Sequence, residues 1–165
     1  MILAHLRQNV ISHVKFTFCG ICRVSLKEGI MWTHEDSIET TATPAQIWAL
    51  FSNVPGWKKW NRGIEDIQIH GDFANGTTFT MQIPGDISFT STLIDVRSNE
   101  GFTDETDIDG TRVLVHHKIV PLASGRTKVI YSTEITGPAA AELGPMVTAD
   151  FPDVLGALKK IAENP

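Results

Sequence analysis

Two cysteines and one tyrosine are all that 165 residues hold of those types, and both cysteines, Cys19 and Cys22, fall in the first thirty positions. A disulfide framework is thereby excluded, and with it the small secreted scaffolds that depend on one. Long apolar runs are missing too, since no stretch approaches the ~20 residues that a membrane-spanning helix requires. Nor is there a block of like charge. The formal net charge is -5, so the chain lacks the basic surface that a phosphate backbone demands, and nucleic acid is not an expected partner. No Ser-His-Asp arrangement or nucleophile motif can be placed.

What is there has the make-up of one globular domain, 42% hydrophobic and 20% charged, long enough to bury a real core. Residues 1–30 stand apart. They carry Arg7, Lys15, Arg23 and Lys27 against Glu28, a net +3, which leaves -8 for residues 31–165. Arg7 and Lys15 interrupt the apolar stretch and no small-residue cleavage site follows, so the segment does not read as a secretory signal and a cytoplasmic location is expected. Cys19-Gly-Ile-Cys22 has the spacing of a redox pair, but no helical pattern follows it to lower a thiol pKa. Zinc needs four ligands, and the nearby His5 and His13 match no familiar spacing, so no metal is expected.

From Met31 onward the punctuation is legible. Residues 32–42 read as a strand. Thr43-Pro44-Ala45-Gln46 is a capping box with proline at the first helical position, and Ile47, Trp48, Leu50 and Phe51 supply a buried face. The helix should stop near Asn53, ahead of Pro55. Beyond it, Trp57 and Trp60 would share a face if 57–61 forms a helical turn, with Lys58, Lys59 and Arg62 outward.

After Gly63 the period becomes two. Runs at 64–73, 77–83, 87–96, 102–108, 112–121 and 126–136 are divided by Asn75-Gly76, Pro84-Gly85-Asp86, Asn99-Glu100-Gly101, Asp109-Gly110 and Ser124-Gly125, which is the pattern of hairpins in series. With the opening strand this predicts a seven-stranded antiparallel meander. Leu143, Val147, Phe151, Val154, Leu158 and Ile161, with Met146 and Leu155 beside them, form the stripe of a long closing helix. Gly144-Pro145 and Pro152 predict a delayed start or a kink.

Alternation places Phe79, Met81 and Ile83 on one face of their strand, and Ile87, Phe89, Ser91 and Leu93 on one face of the next. Val113, Val115, His117 and Ile119 alternate in a third, and Val129, Tyr131, Thr133 and Ile135 in the last. His117 and Tyr131 are therefore polar handles on oily faces, the character of a ligand pocket. His117 suits a general acid or base and Tyr131 a donor to a carbonyl oxygen, although both also suit plain structural roles. Glu105-x-Asp107-x-Asp109-Gly110 imitates a calcium loop but has His116 at the twelfth position, so a hairpin turn is the better reading. His116 and His117 face opposite sides of a strand and cannot chelate one ion together.

The order strand, paired short helices, meander and long helix resembles the helix-grip fold of the SRPBCC or START-like superfamily, and more narrowly its polyketide cyclase/dehydrase and lipid-transport group. The resemblance is carried by "SIETTATPAQIWALFSNVPGWKKWNRGIEDIQIHG" at 37–71, "GTTFTM" at 76–81 and "EITGPAAAELGPMVTADFPDVLGALKKIAE" at 134–163. It implies an α+β domain over residues 31–165, with the long helix lying over the concave face of a curved sheet. It also implies a cavity between them that binds or carries a lipid or polyketide-like molecule without a built-in cofactor. Candidate ligand contacts are Trp57, Trp60, Phe79, Met81, Phe89, Phe102, His117, Tyr131, Met146 and Phe151, with the two indoles at the cavity mouth or, alternatively, as a structural plug. A cyclase or dehydratase using His117 and Tyr131, or a cochaperone-like interaction module, are the alternatives, and the assembly is expected to be a monomer or homodimer.

Residues 1–30 are read as an extension or a mis-assigned start, because Lys27-Glu28-Gly29 can be encoded by a ribosome-binding purine run ahead of Met31. N-terminal peptide mapping of the natively expressed protein should then find Met31 as the first residue. A peptide from upstream would contradict this.

Overall fold

The computed structural model describes residues 31–164. The Cys19/Cys22 pair and the N-terminal extension lie outside the described residues. Strand β1 (Met31–Thr40) leads into helix α1 (Pro44–Ser52) and a 3-10 helix (Val54–Lys59). There follow β2 (Asp66–Ile69), β3 (Thr78–Ile83), β4 (Ile87–Arg97), β5 (Gly101–Ile108), β6 (Thr111–Pro121) and β7 (Thr127–Thr136). Helices α2 (Ala140–Thr148) and α3 (Phe151–Glu163) close the chain.

The seven strands form one sheet in the order β1-β7-β6-β5-β4-β3-β2. Every neighbouring pair is antiparallel, so six strands form the meander and β1 returns to pair with the last over its whole length. Turn chemistry sets these registers. Asp109 and Gly110 both take positive φ, 51° and 78°, the combination a two-residue hairpin needs to follow the twist of its strands. A register shift between Ile94 and Arg97, with Asp95 at φ 54°, bulges β4 and increases the local twist.

Helix α1 begins as its sequence dictates. The Thr43 side chain accepts from the Gln46 amide at 3.3 Å, and the Thr43 amide donates to Gln46 Oε1 at 2.8 Å, so two otherwise unpaired amides are satisfied reciprocally. The helix buries Ile47 and Phe51 and ends ahead of Pro55. At the far end of the chain, Glu163 Oε1 accepts from Thr40 Oγ1 and the Thr41 amide, both at 2.9 Å. That ties the end of α3 to the junction between β1 and α1.

Two elements differ from their sequence patterns. The second strand is four residues, not ten, because Phe73 leaves the sheet to pack edge-on against Trp48 and Phe102, at ring-centroid distances of 5.5 and 5.1 Å. The closing helix spans 140–163 and bends once, at Ala149-Asp150, which keep negative helical φ. Pro152 explains the bend, since it has no N–H to offer the Thr148 carbonyl and its ring crowds that position. Pro145, by contrast, is accommodated inside α2.

Helix α2 crosses β1 at Gly144, where a β-carbon would overlap the Trp32 indole. Gly144→Ala should therefore cost about 1–2 kcal/mol through overpacking. Gly156, on α3, has open space at the same position, so Gly156→Ala should stabilise by about 0.5–1 kcal/mol through helix propensity alone. Urea denaturation of the two variants should show midpoints moving in opposite directions from wild type.

Candidate functional site

The site is built on Phe51. Fully buried, it reaches from α1 to the concave face of the sheet and meets Phe102 at 5.4 Å, His117 at 5.8 Å and Tyr131 at 6.2 Å between ring centroids. Beside it, Trp57 donates its indole N–H to the Phe51 carbonyl at 2.8 Å, which satisfies a buried donor and fixes the ring. Trp57 then stacks on Phe102 at 5.6 Å and lies 6.0 Å from Trp60. Both indoles are buried while Lys58, Lys59 and Arg62 are exposed. One end of the space between sheet and helices is thus filled with aromatic rings.

The rest of that space is a cavity of about 380 Å³. Its sheet wall is the face that alternation selects: Phe79, Met81 and Ile83 from β3, Phe89 and Ser91 from β4, Val113, Val115 and His117 from β6, and Tyr131 from β7. The helical wall comes from Leu143, Met146, Val147, Phe151 and Val154. Exposed Gly63, Pro84, Ala149 and Asp150 mark the rim. Nine of the ten candidate contacts line this cavity, namely Trp57, Trp60, Phe79, Met81, Phe89, His117, Tyr131, Met146 and Phe151. Phe102 does not. It is buried behind His117, ring on ring at 4.2 Å and nearly parallel, and so supports the wall.

Asp104 is a cavity residue that sequence reasoning passed over. It lies two positions beyond Phe102 on β5, opposite Val115, and its carboxylate approaches His117 Nδ1 at 3.6 Å. Alternation from Phe102 was the available signal, because an aspartate two residues along shares the inward face. Around it, Ser91 and Thr106 satisfy each other through a 2.6 Å hydrogen bond. His117 Nδ1 and the Tyr131 hydroxyl, both buried, have no hydrogen-bond partner among the described residues. His116 points the other way and shares a 2.8 Å hydrogen bond with Thr103.

Desolvation dominates the electrostatics. Burial pushes the Asp104 carboxyl up to about 7 and the His117 imidazole down to about 3, the latter helped by neighbouring His116. Attraction between the charged forms would oppose both shifts, but the cost of burying charge prevails and the pair faces each other in neutral form near pH 6. Burial, then the nearby carboxylates of Asp104 and Asp150, hold the Tyr131 phenol well above its usual range. The arrangement therefore offers a protonated phenol and a neutral imidazole to whatever enters, beside a carboxyl that titrates near neutrality.

An antiparallel helix-grip sheet closed by its C-terminal helix around an apolar cavity defines the START-like class of ligand-binding domains. The chain belongs to the polyketide cyclase / dehydrase and lipid transport family, whose model matches residues 31–163. Among solved structures it is similar to norcoclaurine synthase from Thalictrum flavum, at 17% identity over 93% of this chain and 100% of that one, TM-score 0.68. It is similar also to a START superfamily protein from Mycobacterium smegmatis (15% identity, 79% and 97% coverage, TM-score 0.64). A protein from Mesorhizobium loti shares the fold at 12% identity, 78% and 95% coverage and TM-score 0.66. At such identities the likeness is one of fold. No curated protein matches the chain by sequence.

Because Asp104 has a raised pKa in the folded state, its stabilising contribution is complete below about pH 4 and is lost as pH rises through about 7. Asp104→Asn removes that dependence and should be more stable than wild type at pH 8 by roughly 2–4 kcal/mol. The difference should shrink as pH falls to 5. Urea midpoints of both proteins across this range test it, and a pH-independent difference would contradict it.

Proposed function

We propose that this domain binds a hydrophobic small molecule, of lipid or polyketide-like size, in the cavity between its sheet and C-terminal helix, and that it does so in the cytoplasm. The observation that carries the reading is the cavity itself. Its volume of about 380 Å³ falls in the range of small-molecule sites, and its wall is apolar apart from a few convergent polar groups, the usual composition of such sites. Trp57, Trp60, Phe79, Met81, Phe89, His117, Tyr131, Met146 and Phe151 are the proposed contacts, with Phe102 acting behind His117. No helix among the described residues is long and apolar enough to cross a membrane.

A second reading, catalysis in the same cavity, is favoured by the unpartnered His117 Nδ1 and Tyr131 hydroxyl. Neutral imidazole suits a base that removes a proton from carbon next to a carbonyl. The electron pair then moves toward the carbonyl oxygen, where the Tyr131 hydroxyl would stabilise the developing charge by hydrogen bonding. The third reading, an interaction module, finds little surface among the described residues. Their exposed large apolar side chains are Met31 and Val120, which the register sets at opposite ends of the sheet.

An uncharged naphthalene dye whose emission shifts in apolar surroundings should bind with one-to-one stoichiometry. Val115→Phe, which adds bulk to the cavity wall, should weaken binding about tenfold or more while the far-ultraviolet circular dichroism stays native. Equal binding by wild type and Val115→Phe would place the dye elsewhere and sink the proposal. His117→Ala and Tyr131→Phe separate the two readings: under simple carriage dye binding changes little, whereas under catalysis turnover of a candidate substrate collapses.

A further inference from the structure

We infer that the molecule held in this cavity is an amine, a hydrophobic skeleton whose protonated nitrogen sits among Asp104, Asp150 and the Tyr131 hydroxyl. The inference rests on the ligand-binding reading and narrows it. The cavity is lined by two carboxyl groups, Asp104 within and Asp150 at the rim, and by no lysine or arginine. The cations next in the chain to lining residues, Lys58, Lys59, Arg62, Arg112 and Lys118, are all exposed, and Lys58 is paired with Asp66 at 3.1 Å and Arg112 with Glu105. A ligand carboxylate would meet two carboxyl groups without a compensating cation, which costs affinity in a desolvated site.

The polar atoms are also arranged to receive donors. Asp104 comes no closer to His117 Nδ1 than 3.6 Å, longer than a hydrogen bond. Asp150 occupies the N-cap position of α3 yet makes no capping bond to it, and its Oδ2 lies over Gly63 on the opposite rim. Tyr131 is 3% exposed with an unpartnered hydroxyl, and His117, 7% exposed, leaves Nδ1 unpartnered beside it. An ammonium brings up to three N–H donors and needs this kind of acceptor-rich surrounding, since a buried unpaired charge is otherwise expensive. The aromatic faces of Trp57, Trp60, Phe89 and Phe151 around the same space add cation-π attraction.

Three probes on one skeleton test the inference at pH 8: 2-(1-naphthyl)ethylamine, 2-(1-naphthyl)ethanol and 1-naphthylacetate, titrated calorimetrically in buffer with salt. The amine should bind about tenfold tighter than the alcohol, and the acetate weakest of the three. Asp104→Asn and Asp150→Asn should each reduce the amine-to-alcohol affinity ratio about fivefold or more. Asp153→Asn, an exposed change outside the cavity wall, should leave the ratio as it is. Acetate binding as tightly as the amine, or a ratio unmoved in Asp104→Asn and Asp150→Asn, would overturn the amine inference while leaving ligand binding intact. Binding of none of the three would overturn both.

Discussion

Phe51 is the contact on which the arrangement depends. Its ring, fully buried, touches Trp60 from its own side and Phe102, His117 and Tyr131 from the sheet, while its carbonyl holds the Trp57 indole. Burying such a side chain contributes on the order of 2–3 kcal/mol, and offset or edge-on aromatic pairs add to that. This plug fastens the short helices to the sheet at one end. Glu163, bonded to Thr40 and Thr41, fastens the closing helix beside the same junction. With α3 anchored there, the remaining gap between helix and sheet persists as a cavity and is not collapsed into core.

That gap sets the chemistry. Asp104, His117 and Tyr131 face an apolar space, so charge on any of them is disfavoured. A core optimised for stability alone would replace Asp104 with an apolar residue. Three polar groups on adjacent strands, two of them with unmet hydrogen-bonding capacity, are on the proposed reading the contact points of a guest.

Much of this was legible in the residues. Turn pairs such as Asp109-Gly110 and the Thr43-Pro44-Gln46 cap are local signals whose physics is complete within a few residues, and they placed α1 and every strand but β2 within a position or two. The inward face followed from the period of two, which is why nine of ten proposed contacts surround one cavity. What escaped depended on distant partners. Phe73 leaves β2 because Trp48 and Phe102 offer it an aromatic seat, and Phe102 sits behind His117 because the two strands pair in register at that point. Asp104 is inconspicuous for a different reason: the charged residues grouped in sequence, Glu105, Asp107 and Asp109, carry the calcium-loop spacing, whereas burial singles out the aspartate that shares Phe102's face.

The central claim is that a small molecule occupies the space between sheet and C-terminal helix. Methyl NMR on methionine-labelled protein tests it most directly, because Met81 and Met146 line that space from opposite walls while Met31 is exposed on β1. Titration with a naphthyl alcohol should shift the Met81 and Met146 methyl signals together, saturating at one equivalent, with Met31 unmoved. Shifts confined to Met31, or none at Met81 and Met146 at saturation, would contradict an interior site.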